Sequence, residues 1–280
     1  MSIIQIINPA NAADAVRENI AAVWSRRSLL KELTRREISE QYVGQVLGFA
    51  WAIAHPLFLM ALFVFIFGYV FGAKVGGDGR IPQDYAVYIL SGLLPWLGLQ
   101  QIMSRACSSL TGHANLVKQV IFPVEILPIK TVLAGYVTQG ISLLALLFYY
   151  GISYGLPPAT AILLPVLIVF QLFAMIGIAY FLSALTVFVR DLKDIVQVFS
   201  IWGVYLAPIV YMPLWLPEAV RPVLYLNPVS YMVWCYQDVL YYGRIEHPWA
   251  WVVFGVGSAF LYASGYRTFR RLKRFFGERL

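Results

Sequence analysis

The longest features of this chain are runs in which apolar residues follow one another unbroken by charge. Six of them are long enough to cross a bilayer as a helix, which takes roughly 17–25 apolar residues. They are Phe49–Gly72, Tyr85–Met103, Leu133–Tyr154, Ala161–Val189, Ile195–Met212 and Trp249–Tyr266. None contains an Asp, Glu, Lys or Arg, and each such charge at mid-bilayer would cost roughly 2.5–3.5 kcal/mol on insertion scales. The pattern predicts an all-α integral membrane protein with six transmembrane helices. Pro95, Pro165 and Pro208 fall inside these runs and predict kinks, because proline lacks a backbone donor and crowds the preceding turn.

Between the runs the pattern turns periodic. Val16, Ile20, Val23 and Trp24 recur at helical spacing with Arg17, Glu18 and Asn19 on other faces. Leu29, Leu30 and Leu33 follow within a charge-dense stretch from Arg26 to Glu40. This predicts an N-terminal amphipathic helix lying in the membrane interface, as an anchor or as a contact surface for a cytoplasmic partner. In the connection Ser108–Lys130, Asn115, Lys118 and Gln119 surround Leu116, Val120 and Ile121. A short amphipathic helix over Asn115–Phe122, stopped by Pro123, is the simplest account, and it either connects or transmits force.

The connection Pro213–Pro248 is apolar and aromatic, with Trp215, Tyr225, Tyr231, Trp234, Tyr236, Tyr241 and Tyr242. Asn227 and Pro228 read as an N-cap and first helical position. Met232, Val233, Tyr236, Val239 and Leu240 mark one apolar stripe, and Gly243 is a natural stop. A second short helix is expected over Glu218–Leu224. Helices too short to cross, in a loop this apolar, predict re-entrant segments between the last two spans, a lid over an exit or ordinary interfacial packing.

Composition narrows the class. The 280 residues are 60% hydrophobic and 12% charged, about half the charge of a soluble domain. A disordered chain, a soluble nucleotide-binding enzyme and a disulfide-stapled module are excluded. The net charge of +7 suits an anionic membrane surface and not nucleic acid, because the basic residues sit at chain ends and in short connections. All 21 lysines and arginines except Lys74, Arg80, Arg221 and Arg244 fall on one side of a six-span arrangement. The positive-inside rule then puts both termini in the cytoplasm, as an even number of spans also requires. Residues 1–48 form a cytoplasmic segment with the interfacial helix, 49–266 the six-span domain, and 267–280 a basic cytoplasmic tail.

Catalytic chemistry is missing from the sequence. Lys130-Thr131 is the only Lys followed by Ser or Thr, and no glycine-rich loop precedes it, so the chain is not expected to hydrolyse ATP or bind a cofactor. No metal-ligand spacing occurs, and His55, His113 and His247 lie in separate segments. His55, beside Pro56, is expected to be a satisfied polar side chain. Runs free of acids weigh against an ion-coupled carrier. Gln139, Gln171 and Gln197 predict hydrogen bonds between helices. Cys107 and Cys235, expected at opposite ends, should be free and buried. Asp191 and Asp194 read as a capped cytoplasmic turn. With 18 Phe, 18 Tyr and 8 Trp, most rings should serve lipid contact and packing, and the remainder suit a passage for sugars, whose CH faces stack on them.

Several motifs then fall into a known order. They are Arg35-Arg36-Glu37, Gln41-Tyr42, Leu47-Gly48-Phe49-Ala50-Trp51, His55-Pro56, Leu116-Val117-Lys118 and Phe122-Pro123-Val124-Glu125-Ile126-Leu127-Pro128. Val189-Arg190-Asp191-Leu192-Lys193-Asp194 and Leu226-Asn227-Pro228 follow. Over residues 25–270 the chain resembles the membrane subunit of polysaccharide exporters in the type-2 ABC transporter class. The stretch from Asn227-Pro228 through Tyr231 and Tyr236-Gln237-Asp238-Val239-Leu240 to Gly243 is similar to that family's outer-loop signature. An Arg is common there where Gln237 stands, so the resemblance carries no charged role to this position.

The resemblance implies an inner-membrane permease, working as a homodimer on two copies of a separate ATPase subunit that binds ATP and Mg. The cargo would be a lipid-linked polysaccharide: O-antigen, capsule or teichoic acid. Asn115, Leu116, Lys118, Gln119 and Phe122 would form the coupling helix to the ATPase. Phe58, Phe65, Trp202 and Tyr205 are the candidate channel aromatics, and Trp215, Asn227, Pro228, Tyr231, Tyr236 and Asp238 the candidate outer gate. The rivals are a type-2 ABC permease exporting drugs or lipids, and a membrane-embedded glycosyl- or acyltransferase, for which Asp191 and Asp194 are the only close pair of acids beside a span.

Overall fold

The computed structural model describes residues 9–70, 85–118 and 122–279, and every regular element among them is helical. Gly72, Lys74, Arg80 and Gln119 lie outside the described residues, as does the side chain of Val16. Two N-terminal helices, α1 (Pro9–Ser25) and α2 (Arg27–Glu40), precede α3 (Trp51–Phe63), which widens into π-type turns over Val64–Val70. Then come α4 (Tyr85–Ser108), the single turn α5 (Ala114–Val117), α6 (Ile126–Tyr154) and α7 (Leu164–Thr186). The last part holds α8 (Leu192–Leu206), α9 (Arg221–Leu226), α10 (Pro228–Gln237), α11 (Pro248–Leu272) and α12 (Phe276–Arg279).

Among the described residues, four helical stretches are long and apolar enough to cross a membrane: Gly48–Phe67, Tyr85–Ser108, Ile126–Tyr154 and Ala159–Thr186. They coincide with the first four predicted spans. The other two predictions fall on α8 and α11. With 15 residues, α8 is about 22 Å long at the usual helical rise, and α11 is diluted by Gly255, Gly257, Ser258, Ser264 and Gly265.

The prolines explain the differences in length. Of the three prolines expected to kink a span, Pro95 alone sits inside its helix, as Pro56 does in α3, whereas Pro165 stands in the first turn of α7. Pro208 lies beyond the end of α8, because the residue before a proline is driven out of the helical region. Ala207 is accordingly extended, at φ −102° and ψ 155°.

The centre of the bundle is α4. Its apolar window is 83% buried, against 17% for the first span, and it touches α6, α7, α8 and α10. The most extensive pairing is α7 on α11. There a Cβ on Gly177 would stand 2.3 Å from the Leu261 carbonyl oxygen, and one on Gly265 would stand 2.0 Å from that of Gly177. Glycine at both positions lets the backbones meet, the usual basis of tight helix association where lipid removes the hydrophobic drive.

The N-terminal segment is helical, as two helices, and its faces differ in detail from those the pattern predicts. Leu30 of α2 is buried and Leu29 and Leu33 pack around it, with α2 lying along α6. On α1, however, Ile20 and Trp24 are exposed, and Asn19, expected on a polar face, is 1% exposed. The hydrogen-bonding demand of one amide sets the rotation of this helix. At the other end of the chain, α11 runs on through Arg267 to Leu272 without a break.

Candidate translocation site

At the end of the bundle carrying α2 and α5, polar side chains tie distant elements together. Tyr262 of α11 donates to Asn19 Oδ1 at 2.6 Å, and Asn19 Nδ2 donates to the Tyr180 hydroxyl of α7 at 3.1 Å. Tyr180 in turn donates to the Glu125 carbonyl at 3.3 Å. Lys130, expected in a loop, lies inside α6 with its side chain 4% exposed. Its ammonium meets Glu37 of α2 at 2.7 Å and donates to His113 Nε2 at 3.0 Å. Since Nδ1 of His113 faces the Ser109 carbonyl at 3.0 Å, the proton belongs on Nδ1 and Nε2 accepts. Glu125 takes Lys273 at 2.6 Å, and Glu18 takes Arg270 at 2.7 Å. On the outer face of α2, the hydrogen bond from Arg36 holds the Glu40 carboxyl below the usual range.

Of the expected coupling helix the described part is one turn, Gln119, Val120 and Ile121 lying outside the described residues. It ends at Val117, with Asn115 and Lys118 exposed and Leu116 half-buried. Phe122 is not helical, as its place before Pro123 dictates, and packs partly buried against the core. Asp191 precedes α8 without a side-chain cap bond, so the expected capped turn is made by backbone alone.

Midway along the bundle, the expected glutamine bonds form. Gln139 donates to Gln171 Oε1 at 2.7 Å, and Gln171 donates to the Pro95 carbonyl at 3.1 Å. Tyr236 donates to the same Gln171 oxygen. Gly98 makes room, since a Cβ there would stand 2.3 Å from Gln139 Oε1. Gln197 differs: it is exposed on α8 and bonds to no other helix among the described residues.

At the other end, Asn227 caps α10 as expected, accepting from the Val229 N–H at 3.0 Å. Its amide also donates to the Leu206 carbonyl at the end of α8, at 3.1 Å. Gly243 stops the segment with φ 63°, and the second short helix forms two or three residues later than predicted, after Pro217. Of the six gate candidates, Trp215 and Pro228 are exposed and Asn227 and Tyr231 half-buried, whereas Tyr236 and Asp238 are fully enclosed. The Asp238 carboxylate accepts from His247 Nδ1 at 2.8 Å, from the His247 N–H at 3.1 Å and from Trp251 Nε1 at 3.1 Å. The turn at Gly243 folds His247 back onto it.

After α8 the backbone is irregular, yet Ala207, Ile209 and Met212 are buried. Side chains of α4 and α10 serve its carbonyls. The Tyr88 hydroxyl lies 3.1 Å from the carbonyls of Pro208 and Tyr211, Gln237 donates to Pro208 at 2.8 Å, and Tyr85 donates to Val210.

The channel candidates Phe58, Phe65, Trp202 and Tyr205 are each more than half exposed, on the uncovered faces of the first span and α8. Cys107 and Cys235 are free and buried, as expected. His55 is exposed and has no hydrogen-bond partner among the described residues, contrary to expectation. The pattern missed Asn19 and Lys130. The signals were an asparagine deep within a helical segment, where it is a poor helix former, and a lone lysine directly ahead of an apolar run.

Residues 28–241 match the family described as ABC-2 type transporter. The chain is also similar to an O-antigen export system permease protein RfbA of Klebsiella pneumoniae, 25% identical over 257 residues covering 89% of this chain and 94% of that protein. A protein of the same name from Myxococcus xanthus is 28% identical over 230 residues, 81% of this chain and 85% of that one.

Proposed function

Because the chain belongs to the ABC-2 type transporter family, we infer that it is the membrane permease of an ATP-driven exporter of O-antigen-type lipid-linked polysaccharide. The observation that carries this is its similarity, over nearly their whole length, to permeases named for O-antigen export.

The permease sits in the inner membrane with six crossings and both termini in the cytoplasm. The four apolar spans, α11 and α8 supply them. At 25 residues, α11 reaches about 37 Å, enough for a hydrocarbon core of about 30 Å. The fifth crossing is completed by Ala207–Met212, whose carbonyls are served by side chains as irregular backbone at membrane depth requires. Residues 1–48 form the cytoplasmic segment, 49–266 the membrane domain and 267–280 the tail, while α9 and α10 re-enter from the outer side.

A separate ATPase subunit, binding ATP and Mg, docks at the turn bearing Asn115, Leu116 and Lys118. A second copy of the chain covers the first span and α8, so that Phe58, Phe65, Trp202 and Tyr205 line a passage between copies. Aromatic faces there stack on sugars with little sequence demand on the glycan. Tyr236 and Asp238 fix the outer segment to the bundle, and Trp215 and Tyr231 supply its moving surface.

Deleting the gene tests this reading. The expected result is loss of surface O-antigen with polymer held inside the cell, restored by the intact chain. Normal surface glycan with altered drug tolerance would overturn it in favour of drug or lipid efflux. Robust ATP hydrolysis by the purified chain alone would refute the division between permease and ATPase.

A further inference from the structure

Two adjoining cavities, of about 420 and 530 Å³, lie where α2, the first span, α4 and α6 converge. They share His55, Pro56, Gln101, Arg105 and Thr138. No carboxylate lines either one, and the polar groups on their walls are amides, hydroxyls, an imidazole, the Trp51 indole and one guanidinium. Among the described residues Arg105 makes no ion pair. The carboxylate whose charge reaches it is Glu37, and Glu37 is already bonded to Lys130 at 2.7 Å. Glu40, the next acid, is taken by Arg36 at 2.7 Å. Three cations thus share two acids, and the surplus positive charge falls at the cavity wall.

A second observation points the same way. Gln41 Nε2, on the wall of the larger cavity, is buried with no hydrogen-bond partner among the described residues. An unmet buried donor is costly, and an unpaired, partly buried guanidinium at the cytoplasmic end of a span is a candidate for a ligand contact. A phosphoryl group answers both, because its oxygens accept from the two arms of a guanidinium and from amide N–H groups together.

We propose that these cavities form a phosphoryl-binding site, in which Arg105 and Gln41 hold the phosphate or pyrophosphate joining the glycan to its lipid carrier. The identity of that carrier rests on the export function inferred above; the site itself does not. An ordinary phospholipid headgroup offers the same chemistry, and competition separates the two sources.

The test uses the full chain with its ATPase partner in dodecyl maltoside micelles, which carry no phosphate, titrated with labelled polyprenyl pyrophosphate and with the uncharged polyprenol of equal length. The pyrophosphate should bind at least about 10-fold more tightly than the polyprenol. Arg105→Gln should weaken it about 10- to 100-fold, the loss expected for a charge-assisted contact. Arg105→Lys, which keeps the charge and loses the fork, should fall between. Arg190→Gln, an exposed cation in the turn before α8, should change nothing. Thermal midpoints within a degree or two of wild type would show that the variants fold.

If phosphatidylglycerol displaces the pyrophosphate lipid only in large excess, the site belongs to the export substrate. If it competes equally, the site stands with bilayer phospholipid as its occupant. Unchanged affinity in both Arg105 variants overturns the site. A normal O-antigen surface after gene deletion, with binding still dependent on Arg105, would overturn the function and leave the site intact.

Discussion

Replacing Gly177 by alanine adds one methyl group at the tightest crossing in the bundle. The new Cβ would stand 2.3 Å from the Leu261 carbonyl oxygen and 2.5 Å from the Tyr262 nitrogen, about 1 Å inside ordinary contact. Both neighbours are backbone, so no rotamer change relieves the clash, and α7 and α11 must part. Overpacking costs typically about 1–3 kcal/mol, with this site at the upper end for want of a yielding side chain. Alanine regains about 1 kcal/mol of helix propensity, leaving a net loss of about 2 kcal/mol. Gly140→Ala is the matched control: nothing lies within 4 Å of its would-be Cβ, so it should gain up to about 1 kcal/mol.

The assay is the thermal unfolding midpoint of the purified chain in detergent, with Gly177→Ala below wild type and Gly140→Ala at or above it. Gly135→Ala, whose Cβ would meet Ile102 side-chain atoms at 2.6 Å, should fall between, because that side chain can turn aside. Tyr180 lies one turn from Gly177, and Tyr262 follows Leu261, so parting the helices also separates the two tyrosines that hold Asn19. Limited proteolysis should therefore release α1 faster in Gly177→Ala than in wild type. Equal midpoints and equal proteolysis for Gly177→Ala and Gly140→Ala would refute the backbone-contact argument.

Other outcomes follow from the polar ties. Lys130→Met leaves Glu37 and His113 without their shared partner and should cost about 3 kcal/mol, the low end for breaking a buried pair because Glu37 keeps some solvent; denaturant unfolding measures it. Adding Glu37→Leu should recover part of that loss, and a double variant no more stable than the single one would contradict the pairing. Asp238→Ala strips His247 and Trp251 of their acceptor, for a loss of about 3–5 kcal/mol, with Asp238→Asn losing less by the same measurement.

The sequence was most readable where local chemistry decides. Asn227 before Pro228 and Gly243 at the far end fixed a capped and stopped helix without reference to anything distant. The paired glutamines were also foreseeable, since amides at membrane depth need partners, although Gln197 shows that the rule does not say which ones find them. What stayed hidden depends on contacts far apart in sequence. Asn19 bonds to residues 161 and 243 positions away, and no window of the chain contains that information. The overlong fifth span had a local cause that apolar counting overrides: the restriction Pro208 places on Ala207 ends the helix while the hydrophobicity continues.

The amide of Asn19 joins the first helix of the chain to the last long one, and this orders events at the ribosome. Until α11 has been synthesised and inserted, the Asn19 amide has the Tyr180 hydroxyl of α7 and lacks its second tyrosine. The final lock of the fold therefore closes only when almost the whole polypeptide has emerged, and a chain cut short before Tyr262 would display a loose amino-terminal helix to quality-control proteases.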